Sequence, residues 1–374
     1  MRITLITQSS PLSVSQSSRT QTAQIPARQT VKSKKAETPA ATPSLTILGQ
    51  IENVSIVPSN GDVNPYGVAF VPTGFPTSSI QPGDILVSNF NNSANLQGTG
   101  STIVSRTQTG QVSLFFQGSS PLGLTTALGV LRKGFVLVGS VPSTAGTAAT
   151  IQPGALLVLD DSGQLVTTLT DSTFLDSPWD LTIIDHGKKA TVFVSNVISG
   201  TVSRLDVAIK AGALTVVSKE QIGSGYTTAP NAAALVVGPT GMAFDAATDT
   251  LYVASTGDNA IYAISNATTA TSSAGKGTLI YSDNTHLHGP LGLVLASNGD
   301  LITSNGDAIN ADPTQPSEIV EFTPTGTFVT QFQLDPNQGA AFGIALESIG
   351  SGFAQFAAVD DSSNSLFTWI IRTQ

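Results

Sequence analysis

The chain has 374 residues, of which 40% are hydrophobic and 11% charged, with 35 Gly, 20 Pro and no Cys. Charged residues fall far below the roughly 25% of an ordinary globular protein, and Ser, Thr, Asn and Gly replace them in a mixture that suits short strands and turns better than helices. Without Cys, the chain has no disulfide framework, thiolate metal site, cysteine nucleophile or Fe–S cluster.

The charge is uneven. Residues 1–44 hold six basic side chains (Arg2, Arg19, Arg28, Lys32, Lys34, Lys35) and one acid, Glu37, so this net +5 leaves −14 for the body out of a total of −9. Ten Lys and Arg over the remaining 330 residues are too few to neutralise a run of phosphates, and nucleic acid is not an expected partner. The stretch from residue 8 to 44 has no period and little apolar surface to offset chain entropy, which predicts a disordered leader or linker over 1–44 and a folded domain over 45–374. Met1-Arg2-Ile3-Thr4-Leu5-Ile6-Thr7 opens like a secretory signal but stops short of the seven or more apolar residues that such a signal contains. The composition of the body nevertheless leads us to expect export, to an extracellular or periplasmic location. No apolar run nears the roughly 18–20 residues of a membrane span.

A short pattern, often Pro, then any residue, then Gly or Asp, then an aliphatic residue, returns along the body. It reads Pro65-Tyr66-Gly67-Val68, Ala127-Leu128-Gly129-Val130, Pro178-Trp179-Asp180-Leu181, Pro239-Thr240-Gly241-Met242, Pro290-Leu291-Gly292-Leu293 and Ala341-Phe342-Gly343-Ile344. The third residues are spaced by 62, 51, 61, 51 and 51, and three identical intervals out of five mark an internal repeat. Each copy is followed by a continuous apolar run, such as Ile85-Leu86-Val87 or Val192-Phe193-Val194, of the kind buried on both faces of a sheet. Third and fourth strand-like runs complete each unit.

Four strands per unit of about fifty residues is the arithmetic of a propeller blade. The expected fold is all-β: a six-bladed β-propeller of four-stranded antiparallel blades. The sixth unit runs out of chain after its third strand, so Ser44–Val57 is expected to supply the missing outer strand and remove an open edge.

Leu251-Tyr252-Val253-Ala254-Ser255-Thr256-Gly257-Asp258-Asn259-Ala260-Ile261 resembles the NHL-repeat signature, and Ala358–Leu366 is similar. The resemblance spans all six units. It implies an NHL-repeat six-bladed propeller, distantly similar to gluconolactonase-type and amidoglycolate-lyase-type propellers. The lactonases place Asn and Asp metal ligands directly before the first-strand Gly. Here those positions hold Tyr66, Leu128, Trp179, Thr240, Leu291 and Phe342, which are not ligands for a hard cation. The lyases gather three His around zinc, whereas this chain has His186, His286 and His288, two of them in one loop.

Propeller connectivity predicts that loops between second and third strands share one face with the loops entering each blade. That face, the upper mouth, would collect His286, His288, Asn305, Asp307, Asp312, Asp360, Asn89 and Asn196. If His286-Leu287-His288 is extended, both rings point the same way. Imidazole nitrogens suit Zn, Cu, Fe or Ni, and Asp307 or Asp312 would complete a site for such a divalent ion. Asp180 stands where the neighbouring units have Gly, and a carboxyl near the axis would be desolvated. This makes Asp180, with Asp307, a candidate general acid or base. Tyr66, Trp179 and Phe342 form an aromatic collar that would either stack a flat ligand or pack the channel.

Two functions follow as expectations. The first is a binding propeller that takes a small molecule, glycan or protein surface at the upper mouth through Tyr66, Asn89, Trp179, Asn196, Asn305, Phe342 and Asp360. The alternative is a metal-assisted hydrolase or lyase with His286, His288 and Asp312 on the ion. No G-x-S-x-G or other nucleophile motif is present.

Overall fold

A computed structural model describes residues 43–315 and 318–373; the leader expected over 1–44 lies outside them except for Pro43 and Ser44. Six four-stranded antiparallel sheets follow one another along the chain, giving the six-bladed β-propeller. Blade one comprises Val63–Phe70, Ile85–Asn91, Thr102–Arg106 and Val112–Gln117. Blade two comprises Leu124–Leu131, Phe135–Ser140, Ala155–Asp160 and Leu165–Leu169, and blade three Pro178–Asp185, Lys189–Asn196, Thr201–Lys210 and Ala213–Ser224. Blade four is Pro239–Asp245, Thr250–Ser255, Ala260–Ser265 and Thr278–Tyr281, and blade five Pro290–Leu295, Leu301–Asn305, Glu318–Phe322 and Phe328–Gln333. Blade six consists of Ala341–Gly350, Phe353–Asp360 and Ser365–Arg372, with Ile47–Ser55 paired antiparallel along the last of these. Among the described residues the only helical element is the single 3₁₀ turn Ala148–Thr150, and no helix is long and apolar enough to cross a membrane.

The burial of each strand follows from its place in the blade. Every residue of Ile85–Asn91 and Thr102–Arg106 is buried, because middle strands are covered on both faces by the neighbouring blades. Outer strands face solvent, and Leu165–Leu169 is largely exposed. The core therefore lies between blades. Leu86, Ile103 and Phe116 of blade one pack on Leu128, Val136 and Leu157 of blade two, and Leu137, Leu156 and Val158 of blade two pack on Leu181, Val192 and Leu205 of blade three.

One register differs from the expected repeat. Pro65, Pro178, Pro239, Pro290 and Ala341 pair with Asn89, Asn196, Ser255, Asn305 and Asp360. In blade two the residue in that place is Leu124, paired with Ser140. Thr125 and Thr126, not Leu128 and Gly129, thus follow Leu124 in the place of the motif's second and third residues. The Ala-Leu-Gly-Val run imitates the motif lower on the same strand, and a bulge between Leu124 and Leu128 hides the true alignment from spacing alone.

Hydroxyls stitch adjacent blades at this level. Ser88 Oγ accepts from Gly67 N–H and donates to Thr125 O in blade two, both at 2.9 Å. Ser304 Oγ accepts from Gly292 N–H at 2.9 Å and donates to Phe342 O. In blade two, where Gly139 replaces that Ser, Thr125 and Thr126 donate to Pro178 O and Trp179 O of blade three at 2.9 and 2.6 Å. In blade four, Thr240 and Thr256 both donate to Pro290 O. These bonds satisfy inner-strand carbonyls that would otherwise face a narrow channel without partners.

A second departure is an insertion. Ala229–Asn231 and Leu235–Val237 form a two-stranded hairpin between blades three and four, which accounts for the long interval between Asp180 and Gly241.

Candidate functional site

The upper end of the channel is filled. Tyr66 and Phe342 lie with ring centroids 4.8 Å apart, and Trp179 meets Tyr66 edge-on at 5.9 Å. Phe90 from the second strand of blade one stacks on Tyr66 at 4.6 Å and contacts Trp179 at 5.5 Å. The inserted hairpin roofs this cluster with Leu235 and Val236. Its tip is held from two sides. Asn231 Nδ2 donates to Ala308 O of blade five at 2.9 Å, and Gln97 Nε2 of blade one donates to Ala232 O and Ala233 O at 3.3 and 3.1 Å. The space left among Tyr66, Trp179, Thr240, Leu291 and Phe342 is about 10 Å³, room for about one water. The collar residues expected to meet a ligand are packed against one another.

The polar candidates at the strand ends are also buried. Asn89 Nδ2 donates to Thr102 Oγ1, and Asn196 Nδ2 to Phe174 O, Thr201 Oγ1 and Ser203 Oγ. Asn305 Nδ2 donates to His286 O and Glu318 Oε1, while its Oδ1 accepts from His288 N–H. Asp360 accepts from the backbone N–H groups of Ser362 and Ser363. Asn89 ties its second strand to the third strand, and Asn196, Asn305 and Asp360 tie theirs to adjacent loops as well.

His286 and His288 are not brought together. Residues 284–286 form a turn, so the alternation of an extended strand does not apply to the pair. The His286 ring stacks on Phe328 at 3.8 Å, and its Nδ1 lies 2.5 Å from Asp283 Oδ2; burial is the largest single influence on that carboxyl and raises it, but hydrogen bonds from His286, Thr285 N–H and Tyr281 together hold it down to about 2. His288 turns inward, with Nε2 3.0 Å from Glu318 Oε1 and Nδ1 2.5 Å from Asn310 O. Burial pushes Glu318 up to about 7 and Asp307 up to about 6, partly offset in each case by His288. Both Asp307 oxygens and Glu318 Oε2 are buried without a hydrogen-bond partner. Asp312 is exposed and caps its own turn through Thr314. Among the described residues no three His, Asp or Glu side chains are grouped to hold a metal ion. Both nitrogens of His288 are already engaged and His286 faces elsewhere, so these residues do not fit the divalent site.

Three openings remain, one of them about 650 Å³ at the outer strands of blades one and two, lined by Leu114, Phe116, Leu157 and Leu165 among others. On the upper face, a cleft of about 670 Å³ lies between blades two and three, lined by Ile151, Leu175, Ile198, Asp171 and Asp176 among others. Lys219 pairs with Asp171 at 2.5 Å and keeps that carboxyl low, while burial raises Asp176. Below the aromatic plug, Asp180 lines the lower half of the channel. Its Oδ1 accepts from Leu181 N–H at 2.6 Å, and burial moves its carboxyl well above the usual range.

Motif reading missed Glu318 and the cleft. Glu318 opens the apolar run Glu318–Phe322, and an acid heading a strand buried on both faces was the available signal. The cleft is built by loops of three separate segments, and no local pattern announces it.

No family model matches the chain, and no curated protein matches it in sequence. Its fold matches solved structures. A gluconolactonase from Xanthomonas campestris is 14% identical, with 87% of this chain and 91% of that one covered and a TM-score of 0.52. A calcium-binding protein, regucalcin, from Agrobacterium tumefaciens is 13% identical, with 86% and 95% covered and a TM-score of 0.52. A luciferin-regenerating enzyme is 9% identical, with 86% and 95% covered and a TM-score of 0.51. At these identities the likeness is one of fold, and this chain shares the six-bladed propeller architecture of those proteins.

Proposed function

We propose that this protein is an exported, NHL-type binding propeller whose upper face recognises a small molecule or glycan in the cleft between blades two and three. One observation carries the reading: the upper channel is plugged to about 10 Å³ while about 670 Å³ stands open beside it, within the size range of small-ligand sites. Ile151, Leu175 and Ile198 offer an apolar floor, and Asp176 offers an acceptor for hydroxyl or amine groups. Export rests on composition, and the NHL assignment on the repeat motif. The alternative, a metal-assisted hydrolase or lyase, is supported by the fold shared with a gluconolactonase; the separate surroundings of His286 and His288 weigh against it.

The test is a thermal-shift screen with mono- and oligosaccharides and small polar metabolites, together with metal analysis of protein purified without chelator. Hits abolished by Ile198→Trp, which fills the cleft, support the proposal. Hits that survive this change, or stoichiometric metal lost on replacing both His286 and His288 by Ala, overturn it.

A further inference from the structure

The lower half of the channel is built differently from the upper. Below the aromatic plug, an inner chamber of about 170 Å³ is lined by Val68, Thr126, Asp180, Met242, Leu293 and Ile344, among others. An outer chamber of about 360 Å³ adds Phe70, Val130, Ile183 and Glu347. The two share Leu128, Leu181, Thr182, Ala345 and Leu346, so they form one funnel that opens on the face opposite the cleft. Together they reach the roughly 300–1,000 Å³ of ordinary small-ligand sites.

The third residues of the first-strand motifs lie around the inner chamber, with Gly292 and Gly343 directly on its wall. Four of the six are Gly67, Gly241, Gly292 and Gly343, and a fifth, Thr126, turns its hydroxyl to Trp179 O of the next blade. Asp180 alone puts an ionisable group there. The other side chains are mainly aliphatic, with Phe70 in the outer chamber, Thr126 and Thr182 as neutral polar groups, backbone groups of the inner strands between them, and Glu347 at the rim. Neither chamber contains a Lys, Arg or His. A carboxyl at the closed end of a funnel whose side chains are mainly aliphatic, without a basic partner, is complementary to a cation with a hydrocarbon body. A ligand anion would meet two carboxylates and no counter-charge.

We propose that this funnel is a second binding site, independent of the upper cleft, for a small apolar molecule with one primary amine, the ammonium group seated on Asp180 and its hydrocarbon part covered by Leu128, Leu181, Leu293, Ile344 and Leu346. Desolvation favours the neutral acid in the empty funnel and an incoming ammonium favours the carboxylate, so binding releases a proton from Asp180 to solvent. Because apolar contact and charge pairing act at opposite ends of the ligand, affinity requires both.

The experiment is isothermal titration of the full chain with hexylamine and benzylamine, against hexanol and benzyl alcohol as uncharged counterparts. Titrations in two buffers of different ionisation enthalpy count the protons released. We expect the amines to bind at least tenfold more tightly than the alcohols, with proton release. Asp180→Asn should abolish both the preference and the release. Leu346→Trp, at the half-buried mouth, should weaken amine and alcohol alike by tenfold or more even if Asp180→Asn proves poorly folded. Equal binding of amine and alcohol, amine binding unchanged by Leu346→Trp, or no amine binding at millimolar concentration overturns the proposal. Ile198→Trp in the upper cleft should leave these titrations unchanged, so the two sites succeed or fail separately.

Discussion

Gly343 of blade six lies against the carbonyl oxygen of Tyr66 in blade one, so close that a Cβ on the glycine would overlap it. Gly241 stands in the same relation to Leu291 O, where an added Cβ would come to 2.5 Å. The first strands converge on the axis, and the ring closes only where this position carries no side chain or one that bonds across the gap. Gly343→Ala should therefore cost about 1–3 kcal/mol or more. Gly306→Ala, whose Cβ would meet ordinary contacts of 3.4 Å or longer, should change stability by less than about 0.5 kcal/mol. Equilibrium urea denaturation of both variants compares them directly, and equal losses would remove the close-approach explanation.

The entry to the strand on the edge of blade six depends on one carboxylate. Glu321 of blade five accepts the N–H groups of Ser44 and Leu45 at 2.7 and 2.9 Å, all of them buried. Replacing Glu321 by Ala orphans two buried donors, each worth about 1–3 kcal/mol. We expect a loss of about 2–5 kcal/mol, and faster amide exchange at Ser44 and Leu45 than in any middle strand. A loss spread evenly over the blades would assign Glu321 to general packing instead.

Stability should fall as the pH rises from about 4 to about 7. Burial, then the charges of Asp360 and Asp335, push the Asp361 carboxyl up to about 7, against an unfolded value near 4. The folded chain holds this proton more tightly, so the stabilisation is complete below the unfolded value and is lost as pH passes the folded one. Asp361→Asn should match the parent near pH 4 and exceed it by about 1–3 kcal/mol near pH 8. Denaturation curves across that interval check this, and parallel pH profiles for the two proteins would refute it.

The hairpin over the plug should open before the blades do. Asn231→Ala removes the bond to Ala308 O and the caps on Ala233 and Ala234 N–H, worth about 1–2 kcal/mol together. Exchange at Leu235 to Val237 should accelerate about tenfold while Val192 to Val194 stays protected. Unchanged exchange in the hairpin would mean that Leu235 and Val236 alone hold it down.

Much of the fold was legible before any coordinates. The apolar runs of the second strands and the returning Gly announced six blades, because a repeat that cannot cover its own faces must stack on its neighbours. The candidate site was much less legible. Leu128 and Gly129 match the motif as well as Thr125 and Thr126 do structurally, and only the pairing of Leu124 with Ser140 separates them. His286 and His288 looked convergent because alternation was assumed in what is a turn.

The amino-acid order alone determined strand composition, blade count and four of the axial glycines (Gly67, Gly241, Gly292 and Gly343), since these follow from local periodicity and from spacing along the chain. Which end of the channel is open was decided only by the tertiary structure. Tyr66, Phe90, Trp179 and Phe342 are up to 276 residues apart in sequence, and whether four rings meet one another or a ligand depends on closure of the ring. The hairpin inserted between blades three and four then roofs that end. Asp180 faces an open funnel for the same reason: the residues around the space below it come from all six blades, distant in the chain.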